Sequence, residues 1–192
     1  MCCRRDGLNK DMKLRRILAL SLLLLSTLTP ASLAETAHPG FYQPQENAAM
    51  DYDDSESRWS FARSAESEHF LLFWEAGFCE NPLNAAPDMR VDTADLLEKA
   101  ELFYAENVDR LHMADEPLPG GNKLQIYLLY TADWVATGAG YDNRIGALWI
   151  SPATCQPAGS VIAHEIGHCF QYLTYCQALE SGAPVSYTHL TL

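Results

Sequence analysis

At 192 residues the chain has room for one ordinary domain and its tails. Hydrophobic residues at 48% and charged residues at 20% exclude wholesale disorder, and a net charge of −12 excludes the basic footprint that a nucleic-acid binder needs. The charge is uneven. Six of the 13 basic side chains (Arg4, Arg5, Lys10, Lys13, Arg15, Arg16) precede position 35 against two acids, which leaves 7 basic and 23 acidic residues beyond it, a net of −16. A body that acidic repels anionic membranes and nucleic acid alike.

Lys13, Arg15 and Arg16 stand ahead of an apolar run from Ile17 to Leu25 that only Ser21 interrupts, and Ser32-Leu33-Ala34 puts small residues where a signal peptidase cuts. The reading is a secretory signal peptide at about 12–34, behind a misassigned upstream start at 1–11. It directs the protein to the medium, the periplasm or the cell surface. The apolar run is too short to span a bilayer, so no stable membrane insertion is expected after cleavage.

Residues 35–63 read as an acidic, flexible, loosely packed lead-in, with Pro39, Gly40, Pro44 and the run Asp51-Tyr52-Asp53-Asp54. A calcium loop would need a centred glycine and a distal glutamate that this run lacks. The first strand is His69 to Trp74, rich in aromatics. Asp92 to about Leu111 carries apolar side chains at helical spacing (Leu96, Leu97, Ala100, Phe103, Tyr104, Val108), with Asp92 or Thr93 as N-cap. Pro117, Pro119, Gly120 and Gly121 break the chain before a second strand, Lys123 to Tyr130. Ala136 to Asn143 reads as a glycine-containing loop with Asp142-Asn143 at a turn, and Arg144 to Ser151 as a third strand. Residues 159–176 form the last helix. The order β-α-β-β-α predicts an α+β domain, a small mixed sheet with its helices on one face.

That last helix contains His164-Glu165-Ile166-Gly167-His168. At about 100° per residue, His168 lies one turn beyond His164 and about 40° round, so both imidazoles face one way. Two such imidazoles can share a Zn²⁺ ion and leave positions for a third ligand and a water. Glu165 sits beside the first histidine, placed to take a proton from that water. In chains of this composition His-Glu-x-x-His arises by chance in roughly one of a hundred, and the uncharged flanks here suit a buried metal helix. His38, His69 and His112 stand alone and read as structural or exposed. Tyr141 and Tyr172 are candidates for steadying an oxyanion. Glu180, twelve residues after His168, reads as a solvated helix-end carboxylate.

The motif resembles the active-site helix of the zincin metallopeptidases. The resemblance implies that His164 and His168 are zinc ligands, that Glu165 is the catalytic base, and that the strand 144–151 aligns the substrate. The metzincin branch needs a glycine at position 171 and a histidine at position 174, where this chain has Gln171 and Thr174, so that branch is excluded. The gluzincin-like branch takes a glutamate from a later helix. A wider stretch, roughly residues 64–180, carries Ser67-Glu68-His69-Phe70, Phe73-Trp74-Glu75, Gly138 to Trp149 and Cys155-Gln156-Pro157 through Phe170-Gln171-Tyr172. It resembles a family of secreted bacterial domains of unknown function numbered 6055.

The last eight residues, Val185 to Leu192, reproduce the translation of a common sequencing adapter. The expectation is therefore a zincin-like N-terminal subdomain over 64–184, C-terminally truncated, with 185–192 an artefact, the third zinc ligand lost beyond Pro184, and Phe170 and Leu173 left exposed. Cys79, Cys155, Cys169 and Cys176 in a secreted chain allow two disulfides. Cys169 and Cys176 lie about 10.5 Å apart on one helix and cannot pair with each other. Each would then pair with one of Cys79 and Cys155, or all stay thiols.

Function is expected to be that of a secreted zinc-dependent metallohydrolase, a peptidase acting on protein or peptide substrates. The truncated chain itself would bind zinc weakly and lack activity. The alternative is a non-catalytic surface or glycan-associated module that keeps a zincin-like fold.

Overall fold

The computed structural model describes residues 38–114 and 118–181. The stretches expected to be a signal peptide (12–34) and a sequencing adapter (185–192) lie outside the described residues.

Five strands form one mixed sheet: β1 (Ser64–Glu66), β2 (Phe70–Trp74), β3 (Leu124–Leu128), β4 (Ala136–Tyr141) and β5 (Ile145–Ile150), in the order β1-β2-β3-β5-β4. The central three run parallel, with Leu72 opposite Ile126 and Ile126 opposite Leu148, while β1 and β4 pair antiparallel at the two edges. Parallel neighbours need a crossover. α1 (Thr93–Ala105) supplies it between β2 and β3, and α2 (Ser160–Ser181) follows β5. The α+β class read from the sequence is the class observed.

The expected strands and helices fall where periodicity put them, and two edge strands come in addition. β1 is three residues long. β4 occupies the stretch read as a loop, and it reaches β5 through a two-residue turn in which Asp142 and Asn143 take φ of 54° and 55° and the Arg144 N–H donates to the Tyr141 carbonyl at 2.8 Å. Asp92 caps α1, its Oδ1 accepting from the Ala94 and Asp95 N–H groups at 3.1 Å. The helix leaves the α conformation after Ala105 and finishes as a π-helical turn, Glu106–Arg110.

Both sheet faces are covered, which explains why β2 and β3 read as unbroken apolar runs. Phe70, Leu72, Trp74, Leu124, Ile126, Leu128, Leu148 and Ile150 face the helices and meet Leu96, Leu97, Ala100, Tyr104, Ile162, Ile166, Cys169 and Phe170. Phe170 and Leu173 are buried rather than exposed, Phe170 edge-on to Tyr104 with ring centroids 5.3 Å apart.

The other face corrects the sequence reading more deeply. The acidic stretch before β1 is packed: Tyr52 and Trp59 are 4% and 3% exposed and join Leu71, Phe73, Tyr127, Tyr141, Ile145 and Ala147, with Phe41, Tyr42 and Phe61 against them. Burying one such aromatic contributes roughly 2 kcal/mol. The acids are solvated on the outside of a segment whose aromatics serve as the second layer. Buried Arg63 holds that segment in place, donating to the carbonyls of Ser55, Ser57, Arg58 and Trp74 and so using its donor fork on main chain.

Candidate active site on the second helix

α2 lies against β4 and β5 at unusually short range, and small residues make that possible. On β4 the residues facing the helix are Ala136, Gly138 and Gly140. A Cβ at Gly138 would stand 2.0 Å from the backbone oxygen of Glu165, and one at Gly140 would stand 2.2 Å from the Tyr172 ring. The helix backbone at Glu165 thus rests directly on the edge strand.

Two further contacts set its rotation. The Asn143 N–H in the β4–β5 turn donates to the Tyr172 hydroxyl at 3.0 Å, and the Thr174 hydroxyl approaches the Met113 carbonyl at 2.6 Å on the other flank. With Ile162, Ile166, Cys169, Phe170 and Leu173 turned into the core, His164 and His168 face outward.

Their rings meet edge to face, with centroids 4.5 Å apart and Nε2 to Nε2 at 3.0 Å. His168 Nδ1 lies 2.9 Å from Gln171 Oε1. The two histidines line a groove of about 330 Å³ between α2 and the end of α1, walled also by Phe103, Glu106, Met113 and Gly167. Glu165 is on the β4 side of the histidines and 7% exposed. The motif residues are therefore disposed as a helix dictates: two imidazoles converge in the groove, and the Glu165 main chain rests on the edge strand. His164 and His168 are the pair that could hold a metal. Among the described residues no group of three or more His, Cys, Asp and Glu side chains converges to hold one.

A family model described as a family of unknown function (DUF6055) matches residues 33–189. The chain belongs to that family. The match runs wider than the stretch that carried the resemblance, and takes in the aromatic layer before β1 as well as the sheet and α2. No curated protein and no solved structure matches the chain.

Against this geometry several sequence expectations change. The strand 144–151 cannot align a substrate through its main chain, because β5 is interior, bonded to β3 on one side and β4 on the other. Among the described residues the free edge beside Glu165 belongs to β4. Tyr141 faces the opposite layer, among Tyr127 and Trp149, and is removed from any oxyanion role. Burial, followed by Glu46, pushes its hydroxyl well above the ordinary tyrosine range. Tyr172 is committed to Asn143. Glu180 lies on the uninterrupted α2, about 18 Å along the axis from His168, so the helix does not fold it back.

His69 is structural: its ring stacks on Tyr104 and its Nδ1 meets Glu101 Oε2 at 2.7 Å. A larger cavity of about 700 Å³ beside it shares no residue with the motif groove.

Of the alternatives left open for the cysteines, the structure has thiols rather than disulfides. Cys79, Cys155 and Cys169 are free thiols. Cys169 donates to the Ala147 carbonyl at 3.2 Å and Cys155 to that of Ser151 at 3.4 Å. Burial pushes both of these thiols up to about 12.

Sequence reasoning passed over Gly138, Gly140 and Gln171. The first two carried a readable signal, small residues at alternate positions upstream of the His-Glu-x-x-His helix. Gln171 carried only its i+3 spacing from His168.

Proposed function

We propose that this protein is a secreted zinc-dependent metallohydrolase of zincin type, a peptidase, whose third zinc ligand comes from outside the described residues. The observation that supports the reading is the convergence of the His164 and His168 Nε2 atoms at 3.0 Å with Glu165 one residue away, on a helix seated against an edge strand. Zinc–nitrogen bonds of 2.0–2.1 Å at the tetrahedral angle separate two ligand nitrogens by about 3.3 Å. The pair thus needs to open by only a few tenths of an ångström, and the donor set fits the ion.

Bound zinc would supply a water acidified towards neutral pH and an electrophile for the scissile carbonyl. The chain's own groups do the rest. His164 and His168 fix the position at which the water is activated. Glu165, packed where the helix meets β4, takes the proton from that water and delivers it to the leaving amine. The unpaired edge of β4 offers main-chain hydrogen bonds to an extended peptide, which sets the scissile bond above Glu165.

The test is metal analysis and peptide hydrolysis by the natural protein, with Glu165→Gln beside it. About one zinc per chain, loss of hydrolysis on chelation, and a fall of at least about 10²-fold in Glu165→Gln with zinc retained are expected. Zinc-free protein without hydrolysis would leave the non-catalytic surface module as the better reading, and a Glu165→Gln variant as active as the parent would remove Glu165 from the role of base.

A further inference from the structure

The motif accounts for His164, Glu165 and His168 but not for the side chain that touches one of them. We propose that Gln171 is a positioning residue, which holds His168 in its Nδ1–H tautomer and so aims the Nε2 lone pair into the groove beside His164. This rests on the metallohydrolase reading for its purpose but not for its geometry.

The chemistry follows from the atoms. With Gln171 Oε1, an acceptor, turned to His168 Nδ1 at 2.9 Å, the pair forms a hydrogen bond when the hydrogen is on that nitrogen. The neutral ring then has its lone pair on Nε2, the atom that points at His164 Nε2 3.0 Å away. A free imidazole side chain prefers the opposite form, with hydrogen on Nε2, which cannot ligate there.

Metal-binding histidines generally donate their second N–H to a carboxylate or carbonyl that fixes tautomer and ring angle. In this chain the carbonyl is an amide on the same helix, one turn ahead, where i and i+3 side chains meet. Because both residues are on α2 the contact moves with the helix, and the ties of Tyr172 to Asn143 and of Thr174 to Met113 fix the direction in which the pair faces. Gln171 is exposed and fills no core space; it lines the groove beside His168, and a replacement of similar length keeps that wall while removing the acceptor.

Three forms of the full chain decide the matter: the parent, Gln171→Glu, which keeps an acceptor, and Gln171→Met, which keeps length and helix propensity but has no acceptor of comparable strength. Two-bond nitrogen–proton correlation on ¹⁵N-histidine-labelled, metal-free protein reads the tautomer directly. Expected is an Nδ1–H ring for His168 in the parent and in Gln171→Glu, and a shift towards Nε2–H in Gln171→Met with an unchanged melting temperature. Zinc titration against a competing chelator should show Gln171→Met 10- to 100-fold weaker than the parent and Gln171→Glu close to it. An Nε2–H ring in the parent, or an unchanged tautomer in Gln171→Met, overturns the proposal. A parent that shows the Nδ1–H ring and its loss in Gln171→Met, yet takes up no zinc, upholds the positioning and defeats the metallohydrolase reading instead.

Discussion

Replacing Gly138 with alanine is the sharpest test of how the site is built. The added Cβ would lie 2.0 Å from the Glu165 carbonyl oxygen, 2.8 Å from its carbonyl carbon and 3.0 Å from its Cα. All three are main-chain atoms of a helix, so no side chain can swing aside. Relief to even a 3.0 Å contact moves α2 off β4 by about 1 Å, and the same helix is held at Tyr172 and Thr174. Overpacking of this kind costs about 1–3 kcal/mol, and a backbone obstacle places Gly138→Ala at the upper end. For a domain of this size about 2–3 kcal/mol lowers the melting temperature by roughly 4–12 °C. On the proposed hydrolase reading the effect on rate is larger, because a 1 Å misplacement of Glu165 relative to a substrate on β4 would cost about 10²-fold. Gly167→Ala is the control. It sits between the two histidines on the same helix, and its Cβ meets nothing within 4 Å. Alanine there should stabilise the chain by about 0.5–1 kcal/mol. Thermal and urea unfolding followed by far-ultraviolet circular dichroism measure both. A Gly138→Ala variant as stable as the parent would refute the close-approach argument.

Acid should weaken the attachment of β2 to α1. Burial opposes ionisation of Glu101, but the Ser67 hydroxyl and then the His69 main chain, ring and charge outweigh it and hold the carboxyl below its ordinary value. A depressed carboxylate adds stability that is complete above its unfolded value of about 4.3 and is lost as pH falls through the folded one. Urea midpoints of the parent and Glu101→Gln should therefore converge between pH 5 and about pH 3, and parallel curves would contradict this. Thiol reactivity should be equally selective: iodoacetamide at pH 8 should label exposed Cys79 in the native protein and spare Cys155 and Cys169, which peptide mass spectrometry would resolve. Labelling of Cys169 at the rate of Cys79 would show that α2 does not stay closed over the sheet.

What was legible in the sequence was whatever a local period could carry. α1 declared itself through Leu96, Leu97, Ala100 and Tyr104 and through its Asp92 cap, and all four apolar side chains are buried. α2 did so through the same spacing, and the convergence of His164 and His168 is a consequence of 3.6 residues per turn that needs no tertiary information. β2 and β3 were legible as apolar runs. The aromatic layer of residues 41–61 was not, because its acids dominate the composition while Tyr52, Trp59 and Phe61 have no period that marks a face. Its fold depends on Arg63 reaching back to carbonyls of Ser55, Ser57 and Arg58, a contact that local pattern does not encode.

The failure at β4 has a different cause, and it bears on the site. Ala136-Thr137-Gly138-Ala139-Gly140-Tyr141 has almost no intrinsic strand preference, so the rule that strands are β-branched and aromatic returns a loop. The strand nevertheless forms, since six residues pair with β5 and the Asp142-Asn143 turn sets the register. Larger residues at positions 138 and 140 would have made it legible, and would also have held α2 away from the sheet. The helix would then have presented Glu165 farther from the β4 edge, which is free among the described residues. The property that hides β4 from propensity is therefore the property that lets the edge strand and the Glu165 backbone touch. Sequence alone could still have raised the suspicion: alternate small residues, at strand period, closing on a helix with His-Glu-x-x-His, mark a place where main chain must approach main chain.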